Sequence, residues 1–387
     1  MRSVYLDHMA TTPLHPLVFE AMKPFFLEEF GNPSSVHSFG RRSRAALDSH
    51  RGKIAALLTA QASDLFFMSG GTEANNFLLK GLARSMRKEG KNHIITSKAE
   101  HHSVLETCAF LARDGFEVSY LEVDGTGMVD PEDVRSAIRS KTGLISIMHA
   151  NNEVGTLNPV SEIFNIAREN SVCFHSDAVQ AFGKIPPDEK GPQADLLSIS
   201  AHKICGPKGI GGAYIRRGVG LESLLHGGGQ ERGRRAGTES VALAVGFAEA
   251  GALAHTDIES ESERLKILKE RLRQRIGDIF PSVIFNGHPD KSLPHVLNIS
   301  FDPRKIEIDG EALLVNLDLE GLAVSSGSAC TSGSIKPSHV LLAMGRDVKT
   351  ALASVRFSMG RSTTGDDLDF AAGALEKVVG RIGSKTS

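Results

Sequence analysis

The chain has 387 residues, a length that suits two or three domains at ~150 residues each. Apolar residues make up 41% and charged residues 23%, which excludes a disordered chain. With 44 Lys and Arg against 46 Asp and Glu, the formal charge of −2 excludes a global basic field for nucleic acid or anionic lipid. The 4 cysteines contain no CxxC pair and no His pair has HExxH spacing, so neither a disulfide scaffold nor a metal site is predicted. Asp7 and His8 stand where a signal peptide would need its apolar core, and the apolar stretch 241–254 carries Glu249 and is too short to span a bilayer. The expectation is a soluble, cytoplasmic protein in a reducing setting, with no membrane or direct nucleic-acid partner.

From about residue 60 to 216, short apolar runs alternate with helical patterns. Strands are predicted at 65–68, 93–96, 116–121, 144–148, 172–175, 196–200 and 213–216, with helices at 73–88, 102–113, 131–140 and 161–170 between them. The third helix opens on Asp130 and Pro131, a cap followed by a favoured first-turn proline. This alternation predicts an α/β fold, a mostly parallel seven-stranded sheet flanked by helices. After Thr238 the pattern changes to an apolar helix, a charged helix at 257–276, strands at 283–285 and 296–301, a helix at 310–319, a strand at 354–359 and a last helix at 366–382. The expected organisation is a large domain over 13–255 and a smaller α+β domain over 256–387 joined by 1–12.

Ligands of open parallel sheets sit beyond the carboxyl ends of the strands, and here those ends are polar. The strand at 196–200 runs through Ser200 into His202 and Lys203 before a glycine turn. Desolvation there favours the neutral amine that Schiff-base chemistry requires, although a lone lysine would read better as snorkelling. Lys208 takes that plainer reading. Lys203 has company, because the preceding strand ends in Asp177, with Gln180 close behind. A strand-end carboxylate opposite such a lysine is the arrangement that keeps the ring nitrogen of pyridoxal phosphate protonated, and Gln180 can donate to the ring's phenolate oxygen. A helix N-cap is the competing role for Asp177. Ser-Gly-Gly71-Thr72 joins a strand to a helix start and suits a phosphate, the alternative being a simple cap. His101 opens the next helix, where an imidazole can stack on a planar group or serve as a cap. Asn151 and Asn152 follow a strand and orient a ligand or form a turn.

Together these residues resemble the pyridoxal-phosphate cysteine desulfurases of the NifS/IscS type, in the class-V aminotransferase group with fold-type-I architecture. The resemblance runs through LDHMATTP, GNPSSVH, SGGTEANN, EHHSVL, MHANNEVG, HSDAVQ, SAHKICGPKGIGG, HGGGQERGRRAGT, SSGSACTSGS and VRFSMGR, in that order. It implies that Lys203 holds the cofactor covalently, that Asp177 pairs with the ring nitrogen, Gln180 with the phenolate oxygen, and that His101 stacks on the ring. Gly71, Thr72, Ser200 and His202 would hold the phosphate, with Thr238 reaching it from the other subunit of a homodimer. Asn152 and Arg356 would hold the carboxylate of L-cysteine. Arg356 fits on its own terms, since Val355, Phe357 and Met359 alternate with Ser354, Arg356 and Ser358, which leaves its guanidinium off the apolar side and free for a carboxylate.

Cys330 lies among small residues in Ser325-Ser-Gly-Ser-Ala-Cys-Thr-Ser-Gly-Ser, where a thiol stays accessible. By the resemblance it takes the substrate sulfur as a persulfide, L-alanine leaves, and Lys203 and His101 move the protons. The sulfur then passes to an acceptor such as an iron–sulfur scaffold protein. Cys108 and Cys173 read as packing residues, and Cys205 as a neighbour of Lys203. His8-Met9 replaces the smaller or amide-bearing pairs usual before ATTP. A rival reading, an RNA-contacting module on Arg232, Arg234 and Arg235, lacks an aromatic stacking platform.

Overall fold

The computed structural model describes residues 2–326 and 336–385. Seven strands form its main sheet: β1 (Leu65–Met68), β2 (His93–Ser97), β3 (Glu117–Leu121), β4 (Thr142–Ser146), β5 (Cys173–Asp177), β6 (Leu196–Ser200) and β7 (Gly211–Ile215). Their spatial order is β1-β7-β6-β5-β4-β2-β3, and only β7 runs antiparallel to its neighbours. Because β7 opposes both β1 and β6, those two run the same way as the rest. The carboxyl ends of β1, β6, β5, β4 and β2 therefore meet along one edge.

The composition of the strands explains their depth. β1, β4, β6 and β7 are buried along their whole length, as a sheet covered on both faces requires, whereas the edge strand β3 is only partly covered and leaves Glu117 and Tyr120 exposed. β4 begins two residues before the predicted start because the Thr142 hydroxyl takes up His93 Nδ1, 2.7 Å away, and Thr142 pairs with His93 in the sheet. One face is covered by α2 (Gly71–Lys88) and α3 (His102–Arg113), which bury Phe77, Leu78, Leu82, Val104 and Cys108. The other face packs against α1 (Ser38–Leu57), α4 (Pro131–Ala137), α5 (Val160–Glu169) and α6 (Val241–Thr256). Sequence patterning gave no sign of α1. Its charged residues outnumber the few apolar ones it buries, Leu47, Ile54 and Ala55, so its periodicity is faint.

A second core belongs to a three-stranded antiparallel sheet of β8 (Ile284–Asn286), β9 (Val296–Ser300) and β10 (Ser354–Ser358), in the order β10-β9-β8. Helices α7 (Ile258–Ile279), α8 (Gly310–Leu319) and α9 (Gly365–Ile382) close over it with Leu272, Ile276, Leu313 and Leu375. The N-terminal segment contributes to both cores. Val4–Tyr5 pairs in parallel with Leu322–Ala323, Leu6 is buried in the smaller core, and Met9 in the larger one. Among the described residues no single helix is long and apolar enough to cross a membrane.

The segment after β7 is tied to the main sheet by a buried ion pair. Arg51 on α1 makes two 2.7 Å bonds to the Glu231 carboxylate, which also accepts from the Phe67 N–H at 2.8 Å. Glu231 and Arg232 sit at φ 45° and 55°, a left-handed backbone that costs free energy for residues with a side chain. The basic run is used up internally: Arg235 pairs with Glu73 at 2.9 Å, while Arg232 and Arg234 donate to the carbonyls of Leu65 and Leu221. Removing one partner of a buried charge pair costs about 3–5 kcal/mol. Arg51→Met is thus expected to lower unfolding stability by about that amount, read from the shift in the urea midpoint.

Candidate active site

A cavity of about 450 Å3 opens along the edge where the carboxyl ends meet. It gathers every predicted site residue within the described chain except Thr238: Gly71, Thr72, His101, Asn152, Asp177, Gln180, Ser200, His202, Lys203 and Arg356. Thr238 is exposed and lines a different cavity with Ser69 and Arg235. Cys330 lies outside the described residues.

Lys203 follows β6 on a single 3-10 turn, Ala201–Lys203. Its ammonium donates to the carbonyls of Met9 at 2.6 Å and Ala10 at 2.7 Å. Burial pushes its pKa down to about 8, helped by the Arg356 cation and opposed by Asp7 and Asp177. Asp177, last residue of β5, accepts from Asn75 Nδ2 at 2.7 Å and from the Val179 N–H at 3.0 Å. No helix follows Asp177, so the predicted N-cap is instead a side-chain turn on one oxygen, with Asn75 on the other. Asn75 also donates to Ser103 Oγ at 2.8 Å, and that hydroxyl lies 2.8 Å from His101 Nδ1. Nδ1 also accepts from the Ser103 N–H at 3.1 Å, capping α3 and leaving Nε2 with the proton in the neutral ring. Burial lowers the His101 pKa, with Asp177 working against it.

The start of α2 has the character of an anion cradle. Gly70 at its N-cap supplies no side-chain bond, and Glu73 turns instead to the Ser69 N–H and Arg235. A Cβ on Gly71 would lie 2.7 Å from Val179 Cγ2, so any larger residue there would push the Val179 side chain aside. Ser200 Oγ is buried without a hydrogen-bond partner at the same place, and an oxyanion is the acceptor it lacks. His202 is kept neutral, its pKa lowered to about 4 by burial and then by Lys203. The donor set fits a phosphate at this end, a ring nitrogen at Asp177 and an aldehyde at Lys203, which is the outline of pyridoxal phosphate.

At the other end, Arg356 departs from the expectation of a free guanidinium. Its Nη2 bonds Asp7 Oδ1 and Ser325 Oγ, each at 2.7 Å, and Nη1 bonds the Asn152 carbonyl at 2.8 Å. Alternation along β10 places the side chain correctly but says nothing about a partner 349 positions away. Nε remains buried without a partner, as does Asn152 Oδ1. Of the two asparagines, Asn151 makes the turn, accepting from the N–H groups of Glu153 and Val154, while Asn152 lines the cavity.

Several contributors escaped the sequence reading. Asn75 stood in the SGGTEANN run without a role, and Asp7 was noted only as a charge. Glu100 lies wholly buried beneath His101, accepting from the Met148 N–H at 2.8 Å and Ser97 Oγ at 3.1 Å. Burial, with Asp177 nearby, pushes its pKa up to about 8. Glu153 accepts from Ser338 Oγ, and His339 Nε2 lies 2.9 Å from the Glu100 carbonyl. Those contacts pin the chain where it re-enters the described structure. Of the described cysteines, Cys108 is fully buried and its thiol is pushed up to about 12, and burial also raises that of Cys173, so neither is poised as a nucleophile.

A family model described as aminotransferase class-V matches residues 4–370. A protein named cysteine desulfurase IscS from Dictyoglomus turgidum is 49% identical over 381 residues, covering 98% of this chain and 95% of that protein. Among solved structures, a NIFS-like protein superposes with a TM-score of 0.91 at 36% identity, covering 98% of this chain and all of that one. The structure described as SspA in complex with cysteine has a TM-score of 0.78 at 38% identity, covering 92% of this chain and 98% of that one.

The setting of Lys203 has a measurable signature. In coenzyme-free protein its acylation by an amine-selective reagent, followed by peptide mass spectrometry, is expected to rise with a midpoint near pH 8, about two units below an ordinary lysine. Arg356→Met should move that midpoint upward, because a cation that disfavours the ammonium is gone.

Proposed function

Because the chain belongs to the class-V aminotransferase family, we propose that it is a pyridoxal-phosphate-dependent cysteine desulfurase, taking sulfur from L-cysteine and releasing L-alanine. The observation that carries this reading is one cavity holding a lysine of lowered pKa, a strand-end carboxylate and an oxyanion cradle. The bound coenzyme supplies an aldehyde that captures amines and a ring that draws electron density from the substrate's Cα.

The residues then divide the work by position. Lys203 holds the aldehyde, and its amine, about half of it neutral at pH 8, takes the proton from the substrate Cα. Asp177 keeps the ring nitrogen's proton in place, and Asn75 fixes that carboxylate. Gln180 would serve the phenolate oxygen, and His101, lining the same cavity, would stack on the ring. Thr72, Ser200, His202 and the first N–H groups of α2 hold the phosphate. The substrate carboxylate is received by Arg356, whose unpartnered Nε offers a charge-assisted bond, and by Asn152. The Cys330 thiolate attacks the substrate sulfur, so that an S–S bond forms as the bond from sulfur to Cβ breaks. Lys203 and His101 return protons to carbon, and alanine leaves.

The reading includes a homodimer in which Thr238 reaches the partner's phosphate. Two features support it: Thr238 is exposed and away from its own chain's cavity, and Leu17, Phe19, Phe26, Leu27, Phe30 and Phe39 are exposed in the N-terminal region. A persulfide on Cys330 needs an acceptor thiol or a sulfur-accepting protein such as an iron–sulfur scaffold, and a reducing cytoplasm suits it.

Incubation with L-cysteine is expected to yield alanine and a Cys330 peptide heavier by one sulfur. Cys330→Ala should keep the coenzyme's absorbance and lose alanine formation, whereas Lys203→Ala should lose covalent attachment. Alanine formation undiminished in Cys330→Ala, or a demand for a keto acid, would point to transamination instead. Arg356→Ala should raise KM for cysteine roughly ten- to a hundred-fold, as loss of a charged hydrogen bond does.

A further inference from the structure

Four residues beyond Gln180 stands a second lysine with no role in the account above. Lys184 is partly buried and donates to Gln180 Oε1 at 2.8 Å. Gln180 Nε2 in turn donates to the Met9 carbonyl at 3.0 Å, the same oxygen that accepts from Lys203 at 2.6 Å. A carbonyl only accepts, so the amide must present its nitrogen to Met9, and Oε1 is left for a donor. Lys184 is that donor. One Nε2 hydrogen is used by Met9, and the second remains for the cavity that Gln180 lines beside Asp177 and Lys203.

We propose that Lys184 is a positioning residue for the coenzyme: together with the Met9 carbonyl it holds the Gln180 amide with an N–H toward the cavity, and in its protonated form it adds positive charge near the Lys203 nitrogen. The inference rests on the pyridoxal-phosphate reading and assigns a residue to that site. Among the described residues Lys184 has no carboxylate partner. The groups facing it are His202, Lys203 and Cys205 from the segment after β6, Arg356 from β10, and His8, His295 and the Met9 sulfur, the last 3.8 Å from the amine. His295 Nε2 lies 3.2 Å from that same sulfur. Burial, then repulsion from Lys203, lowers the Lys184 pKa to about 7, which agrees with an amine set among cations and neutral rings.

The test is the pH titration of the coenzyme's absorbance in holoenzyme. A nearby cation and an oriented donor to the phenolate oxygen both disfavour protonation of the nitrogen that carries the coenzyme. Lys184→Met is therefore expected to raise the midpoint by about one pH unit, a tenfold gain in proton affinity. Lys184→Arg, which keeps a donor and a permanent charge, is expected to hold the midpoint at or below that of the unaltered protein. An unmoved midpoint in the Met variant, or a raised one in the Arg variant, overturns the assignment; should the Met variant not fold, the Arg variant decides alone. If the unaltered protein binds no coenzyme at Lys203, the functional reading itself falls, an outcome separable from a failure of Lys184.

Discussion

The Lys203 ammonium rests on the carbonyls of Met9 and Ala10, and that contact ties the lysine at the end of β6 to the N-terminal segment. The lysine comes from the end of β6, while its acceptors come from a segment outside the main sheet. For the two to meet, the N-terminal segment must lie across the edge where the strands converge. β10 holds it there: Ser358 Oγ accepts from the Met9 N–H at 2.9 Å, and the Ser358 N–H donates to the Leu6 carbonyl at 2.7 Å. Arg356, two residues earlier on the same strand, reaches Asp7. The amine, the carboxylate-binding arginine and the amide of Gln180 are thus placed by one backbone segment and one strand.

The electrostatics follow from this arrangement. Lys203 and Arg356 line the same cavity, and Lys184 adds its charge from behind it, in a chain whose net charge is only −2. Asp7 and Asp177 offset them in part, and Glu100, its pKa raised to about 8, adds little negative charge at neutral pH. The result is a local field suited to a phosphate and a carboxylate, while the amines pay for it with weakened proton affinity. That weakening is what makes a lysine useful as a nucleophile and base.

The main sheet was largely legible in the sequence because its strands are short apolar runs that end in polar residues, as Leu196-Leu-Ser-Ile-Ser does before His202 and Lys203. Boundaries slipped by a residue or two where side chains extended the pairing, as Thr142 and His93 do at the start of β4. The positions of Asp177, Lys203, His101 and Arg356 were legible for the same reason: each stands at or beside the end of a regular element. What stayed hidden were partnerships between distant segments. Nothing local marks Asp7 as the partner of Arg356, Asn75 as the support of Asp177, or Lys184 as the donor to Gln180. Helix α1 stayed hidden too, because its inner face relies on Arg51 and Glu231 as much as on apolar contact.

The clasp between the first residues and β10 also sets an order of events during synthesis. Met9 and Ser358 are 349 positions apart, and the smaller core draws on Val4 and Leu6 from one end and on Val355, Phe357 and Leu375 from the other. The seven-stranded sheet has all its strands once residue 215 has emerged, so it can collapse while the ribosome is still translating. Residues 4–9, although made well before β10, must wait for it before they find their place. Until then the catalytic amine lacks its two carbonyl acceptors, so the pocket reaches its finished form only after residue 358 has emerged.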